Sequence, residues 1–243
     1  MGSFKTETKK SEHPTVSLIN QLCDAQSFTG HLGAISMARK HVKYARKKHG
    51  HQKELLKSLN LLSGVYSRAF AYMTKSLIRR IYLIKAIRIQ KKLDKYEKEF
   101  SPRMLYTRAR IFFLAGMHKE ALALTNTILA KRDISASLRA ISLINAAQCL
   151  EKEGEIAEAC RHYVDANELA GSVNIETRMR IFRACAEHLS AWGDRVLALN
   201  FFERAEKLAL SGKGKLLFVE AERIRRLSKE LESETGAVRE VKT

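Results

Sequence analysis

The chain has 243 residues, 45% of them hydrophobic, and carries 44 Lys and Arg against 26 Asp and Glu, a formal net charge of +18. This length and composition allow one domain or one continuous repeat array to bury a substantial core. Only two prolines and twelve glycines occur, too few for the tight turns of an all-β protein, and no stretch approaches the roughly 20 apolar residues of a membrane span.

The first 12 residues, MGSFKTETKKSE, are polar and are predicted to form a disordered tail. No apolar run follows their basic residues, so we expect no secretory signal and a cytoplasmic protein, or a nuclear one in a eukaryote. Met1, Gly2 and Thr6 fit the loose N-myristoylation pattern, although Glu7 does not favour it. A membrane partner is therefore not expected unless Gly2 is acylated.

Residues 13–100 are predicted to form helical pairs with eroded repeat signatures, the helices lying near 14–28, 31–48, 52–72 and 75–99. Gly30 is interpreted as a turn between the first two. The segment IRRIYLIKAIRI, residues 78–89, is apolar on nearly every side of a helix, and its β-branched residues would also suit a strand. We expect a helix, because a helix packed between two neighbours in a solenoid shows this pattern.

Nearly all of the excess positive charge lies in one third of the chain. Residues 36–110 contain 21 Lys or Arg against 4 acids, whereas residues 111–243 contain 20 against 19. Such a concentration of positive charge suits binding to nucleic acid, an anionic membrane or an acidic protein. The alternative is a solvated face that only keeps the protein soluble. The imbalance exceeds what solubility needs, so a polyanionic partner is favoured.

The candidate polyanion-binding residues are Arg39, Lys40, Lys43, Arg46, Lys47, Lys48, Arg79, Arg80, Arg88, Lys91 and Lys92. Tyrosines lie among these cations. At helical spacing they are interpreted as core residues rather than base-stacking platforms: Tyr44, Tyr66, Tyr72 and Tyr82.

A repeat begins after Ser101 and Pro102, which mark a helix start because Ser caps helices and Pro fits their first turn. Three glycines follow at spacings of 38 and 39 residues: Gly116, Gly154 and Gly193. Ala lies seven residues before each glycine and five residues after it, and Phe or Leu lies four residues before it. Small residues at such positions let two helices approach closely. Each unit is therefore predicted to be a helix, a glycine turn and a second helix.

The later part of each unit separates two good copies from one degenerate copy. Nine and twelve positions after the glycine, the last two copies have an aromatic residue and Ala: Tyr163 and Ala166, then Phe202 and Ala205. The first copy has Thr125 and Ile128 instead. Helices are expected near 102–114, 117–131, 134–152, 155–169, 174–191 and 195–210.

This pattern resembles the tetratricopeptide repeat (TPR) family over residues 101–210. The resemblance implies an all-α fold, an α-α superhelix of about five helical pairs plus a C-terminal helix. The units here are longer than the family's usual 34 residues and lack its closing Pro. Residues 211–243 are expected to form a capping helix near 214–232 and a frayed tail.

The resemblance also implies a groove lined by the first helix of each unit, which would receive a protein or peptide. The inward positions that would bind it are Arg103, Tyr106, Arg110, Asn145, Gln148, Arg180 and Arg183. Their guanidinium groups suit carboxylates, and Glu187 is the nearest internal acid by register. Asn145 and Arg180 fall on the family's carboxylate-clamp positions, but Tyr106, Arg110 and Ala184 do not match. The alternative is a groove filled by the protein's own terminal helix, 214–232.

No catalytic, nucleotide-binding or metal-binding motif occurs, so we expect neither an enzyme nor a cofactor or metal site. The four cysteines stand singly and are interpreted as buried thiols: Cys23, Cys149, Cys160 and Cys185. We expect a non-enzymatic adaptor that binds an acidic protein segment in the groove and an anionic partner at 36–110. The alternative is a nucleic-acid-associated regulator, in transcription or RNA-related processes, that uses the basic helices. The oligomeric state is left open.

Overall fold

The computed structural model describes residue 19 and residues 28–47, 52–72, 76–93, 100–211 and 215–240. Ten α-helices occupy these ranges, which contain no strand. They are α1 (Phe28–Lys47), α2 (Gln52–Tyr72), α3 (Ser76–Leu93), α4 (Pro102–Leu114), α5 (His118–Leu129), α6 (Ala136–Glu153), α7 (Ile156–Glu168), α8 (Ile175–Ala191), α9 (Arg195–Ser211) and α10 (Lys215–Glu240). A 3₁₀-helix, Leu169–Ser172, follows α7. The predicted all-α architecture is confirmed.

The first helix of each repeat begins at a polar cap. Ser101, Ser135 and Asn174 stand directly before α4, α6 and α8, and each side-chain oxygen accepts a hydrogen bond from a backbone N–H in the first turn. The donor–acceptor distances are 3.4, 3.2 and 2.9 Å. These caps satisfy N–H groups that have no partner inside the helix and so fix where it starts.

The same helices end at the three predicted glycines. Gly116, Gly154 and Gly193 have φ angles of +80°, +86° and +87°, the left-handed region that an L side chain rarely adopts. In each turn the residue after the glycine donates its N–H to the carbonyl four residues before the glycine, at 2.9, 2.9 and 3.1 Å. This bond closes the helix end, and the next helix starts two residues after the glycine.

The helices form two layers. Each of α2, α4, α6 and α8 packs directly on the next-but-one helix, a series that ends at α10. The alternate helices α1, α3, α5, α7 and α9 approach one another less closely. The layer whose members touch is the shorter, concave side of a superhelix, so the first set forms the inner layer and the second set the outer layer.

Apolar side chains form two clusters along the chain. One includes Ala34, Leu59, Val65 and Ile111, and the other runs from Ala140 in α6 to Leu231 in α10. The repeated small residues lie in the helix contacts, because Ala121, Ala159 and Ala198 are all fully buried. The aromatic slots are also core positions, with Tyr163 5% and Phe202 2% exposed.

Residues 78–89 are helical within α3, so that prediction is confirmed. The predicted turn at Gly30 is wrong: Gly30 lies inside α1, which starts at Phe28. Helix α10 also runs to Glu240, past the predicted end at 232. The predicted tail 1–12 lies outside the described residues, as does the predicted helix 14–28 apart from helical Ile19 and its last residue, Phe28. None of the helices described is long and apolar enough to cross a membrane.

Candidate binding surfaces

All seven predicted groove residues lie on helices of the inner layer. Arg103, Tyr106 and Arg110 are on α4, Asn145 and Gln148 are on α6, and Arg180 and Arg183 are on α8. Arg103 and Arg180 are exposed, whereas Asn145 is 1% exposed. The predicted groove residues therefore combine exposed arginines, which a partner can contact, with a buried amide, which a partner cannot contact.

Arg110 is held by two amide side chains of the next repeat. Its Nη1 donates hydrogen bonds to Oδ1 of Asn145 at 3.1 Å and to Oε1 of Gln148 at 3.0 Å. Its guanidinium also lies 5.1 Å from the centre of the Phe113 ring. Among the described residues, no carboxylate pairs with Arg110, so its charge meets only neutral dipoles and a ring face.

The degenerate slot of the first repeat explains why Asn145 can be buried there. Thr125 occupies the position that holds an aromatic residue in the other repeats, and its Oγ1 accepts a hydrogen bond of 2.8 Å from Nδ2 of Asn145. Thr125 in turn donates to the carbonyl of Ala121 at 2.8 Å. A chain of polar contacts therefore joins α5, α6 and α4, and it orients Arg110 from behind.

Arg180 and Arg183 each have an acid of their own. Nη2 of Arg180 lies 2.5 Å from Oε1 of Glu176, one turn away on α8. Nη1 of Arg183 lies 2.5 Å from Oε2 of Glu220 on α10, and its Nε lies 3.5 Å from Glu187. The expectation that Glu187 is the nearest internal acid is wrong, because Glu176 lies closer to Arg180 and Glu220 lies closer to Arg183. Glu220 is 37 residues away from Arg183 in the chain.

A cleft in the outer layer is lined by several of the predicted polyanion-binding residues. It lies between α1 and α3, has a volume of about 370 Å³, and is lined by Leu32, Ile35, Ser36, Arg39, Lys40, Lys43, Tyr82 and Lys85. We call it the basic cleft. The lining contains four cations and no acid, and no described carboxylate forms an ion pair with these four cations.

Two tyrosines organise one wall of the basic cleft. Tyr66 is 3% exposed and stacks on Tyr82, with ring centres 5.7 Å apart. Arg39 donates through Nε to the Tyr66 hydroxyl at 2.9 Å. The Nζ atom of Lys85 lies 5.9 Å and 5.8 Å from the two ring centres. The rings thus hold cations in place by cation–π attraction.

The other predicted polyanion-binding residues flank this cleft on the same two helices. Arg46 and Lys47 are exposed on α1, and Arg80, Arg88, Lys91 and Lys92 are exposed on α3. Lys48 and the side chain of Arg79 lie outside the described residues. Exposed apolar side chains stand between the cations: Leu32, Ile81 and Ile84 are 40%, 41% and 47% exposed.

A cluster that the sequence reasoning missed lies between α6, α7 and α8. Sγ of Cys160 is 3.2 Å from Nε2 of His188, and the other ring nitrogen of His188 contacts Glu151. These residues are 28 and 37 positions apart and match no motif, so only the fold brings them together. In the described residues, no group of three or more His, Cys, Asp or Glu is arranged to hold a metal ion.

No protein-family model matches the chain, and no curated protein matches it in sequence. Twenty-seven solved chains resemble it, and two of them show the extent of the likeness. One is a kinesin light chain from Podosopora anserina with nearly identical TPR-like repeats; it is 18% identical, covers 79% of this chain and 92% of its own, and has a TM-score of 0.52. The other is BtubC (BKLC) from P. vanneervenii, 14% identical over 86% and 88% of the two chains, with a TM-score of 0.51. At such identities the likeness establishes the fold alone, a TPR-like helical repeat.

Proposed function

We propose that this TPR-like chain is a non-enzymatic scaffold that binds an acidic protein segment in the basic cleft and a second acidic segment along its inner layer. One observation carries the first part: four cations line a single cleft that contains no acid. Like charges held this close repel one another, and a bound anion relieves that repulsion.

Protein is favoured over nucleic acid as the occupant of the basic cleft. Leu32, Ile81 and Ile84 are exposed between the cations, and they offer apolar contacts that a sugar–phosphate backbone does not use. Tyr66 is buried and stacked on Tyr82, so its face is not presented to a base. An acidic segment with apolar anchors complements both features.

The variant Lys40→Glu, Lys43→Glu, Lys85→Glu tests this part. Its binding to a fluorescent peptide of alternating Glu and Leu should weaken by at least about tenfold, because three attractive charges become repulsive. The matched control reverses three exposed cations of the other half: Lys131→Glu, Arg132→Glu, Arg161→Glu. It has the same net charge and should bind nearly as well as the wild type. Equal losses in the two variants would contradict a localised site.

A nucleic-acid-associated regulator remains the second candidate, favoured by the 21-to-4 charge imbalance over residues 36–110. A duplex DNA probe separates the two functions. The substitution Ile84→Ser should weaken binding of the Glu–Leu peptide and leave binding of the DNA probe unchanged. A wild type that prefers DNA, with a steep salt dependence from counterion release, would favour the regulator instead.

Arg110 is the centre of the proposed inner-layer site. It has no described acid, whereas Arg180 and Arg183 are paired with Glu176 and Glu220. A carboxylate of the partner would supply the missing charge, and the hydrogen bonds from Arg110 to Asn145 and Gln148 hold the guanidinium ready.

The substitution Arg110→Ala should weaken binding of a short acidic peptide by about 1.5–3 kcal/mol, as expected for a charge-assisted hydrogen bond. Arg180→Ala is the matched control and should cost less, since that guanidinium already has a carboxylate. Calorimetric titration measures both. A larger effect at Arg180 would place the site on α8 rather than on α4.

A further inference from the structure

The cluster of Cys160, His188 and Glu151 has the geometry of an activated thiol. Glu151 Oε1 contacts Nδ1 of His188, and Glu151 Oε2 accepts a hydrogen bond of 3.0 Å from the Tyr163 hydroxyl. Nε2, the second nitrogen of the imidazole, faces Sγ of Cys160 at 3.2 Å. The order is nucleophile, base and orienting carboxylate, which is how proteins activate a cysteine.

The partners of His188 decide which nitrogen carries its proton. An ionised carboxylate can only accept hydrogen bonds, so Nδ1 must carry the hydrogen that faces Glu151. In the neutral imidazole Nε2 then has a lone pair, and this lone pair points at the Cys160 thiol. Tilted ring contacts help to keep His188 in place, because its ring centre lies 4.5 Å from that of Tyr163 and 6.0 Å from that of Trp192.

The other two described cysteines provide the contrast. Cys149 and Cys185 are buried, and burial raises the pKa of their thiols to about 11 and about 12. Both remain protonated and shielded near neutral pH. Cys160 is partly exposed on the outer-layer helix α7 and has a histidine as its neighbour. One repeat array thus contains two shielded thiols and one partly exposed thiol beside a histidine.

We propose that Cys160 is a nucleophilic thiol, with His188 as its proton acceptor, and that small hydroperoxides modify this protein there. In the step, the Cys160 proton moves to Nε2 of His188 and the sulfur attacks one peroxide oxygen. The S–O bond forms as the O–O bond breaks, and the leaving oxygen takes its electron pair and the proton from His188. The sulfur is oxidised by two electrons to a sulfenic acid, and hydrogen peroxide is reduced to water.

The test uses the full chain with Cys23→Ser in every variant, so that only the three described thiols remain. Folded protein is treated with hydrogen peroxide and dimedone, and separately with iodoacetamide, and adducts are mapped by peptide mass spectrometry. Cys160 should be labelled at least about tenfold faster than Cys149 and Cys185. In urea the three rates should converge, which shows that the difference comes from the fold.

Substitutions then test the role of His188. His188→Gln should slow labelling of Cys160 by about tenfold in both assays, and Glu151→Gln should slow it as well, because the lone pair is no longer fixed toward the sulfur. His162→Gln is the control, a partly buried histidine on the same helix as Cys160. The proposal is overturned if Cys160 reacts no faster than the buried thiols. It is also overturned if a folded His188→Gln variant, checked by circular dichroism, keeps the wild-type rate.

Discussion

The two halves of the molecule use their residues in opposite ways. In residues 101–211, three glycines adopt left-handed turns, and Arg180 and Arg183 are each paired with an acid. In residues 28–93, Gly30 and Gly64 lie inside helices. The four cations of the basic cleft have no acid as a partner among the described residues. A regular repeat register specifies stacking, whereas the irregular half leaves charge uncompensated and available to a partner. We therefore expect stability to depend chiefly on residues 101–211, and anion binding to depend on the basic cleft of residues 28–93 and on Arg110.

The largest effect is expected at an aromatic slot of the regular half. Phe202→Ala should lower the free energy of unfolding by about 3–5 kcal/mol, because Phe202 is 2% exposed and its removal leaves a cavity. Leu210→Ala on the same helix should change it by less than about 0.5 kcal/mol, since Leu210 is 53% exposed. Urea denaturation measures both. Retention of Phe202→Ala on heparin, below its melting temperature, should match the wild type; a lower retention would break the division between the halves.

A smaller effect is expected from overfilling the close helix contacts. Ala159→Leu and Ala198→Leu should each cost about 1–3 kcal/mol, because both alanines are fully buried where two helices of a repeat meet. Ala157→Leu, on the exposed side of α7, is the control and should be nearly neutral. If thermal melts showed no loss for the two buried sites, the repeat register would not be what holds the helices together.

The smallest effects are expected for Gly→Ala substitutions, which should change the free energy of unfolding in opposite directions in the two halves. Gly193→Ala should destabilise by about 1–2 kcal/mol, because φ is +87° and an L side chain is strained there although space is open. Gly64→Ala should stabilise by about 0.5–1 kcal/mol, because Gly64 is helical and its new methyl group would lie 3.7 Å from Cγ2 of Thr107, an ordinary contact. Two melting curves decide the point. A shift of the same sign in both would contradict it.

The parts of the structure that the sequence predicted are those set by local chemistry. The Ser101 cap, the glycine turns and the buried alanines follow from residue types at fixed spacing, and all of them occur as expected. The predicted turn at Gly30 is wrong because the sequence alone does not distinguish a glycine inside a helix from a glycine in a turn. The pairing of Arg183 with Glu220 was missed because it depends on how α10 packs, which no local pattern encodes.

The polar contacts around Thr125 also bear on how the chain folds. Hydrogen bonds among Arg110, Asn145 and Thr125 join the helices that carry the two apolar clusters, one whose last buried member is Ile111 and one whose first buried member is Ala140. In a linear array, cooperativity depends on the coupling between neighbouring repeats, and hydrogen bonds there contribute less net free energy than buried aromatic contacts. We therefore expect the junction to be the least strongly coupled point of the array. Denaturation should divide the chain into two cooperative units at α5, and amide exchange should show two levels of protection on its two sides.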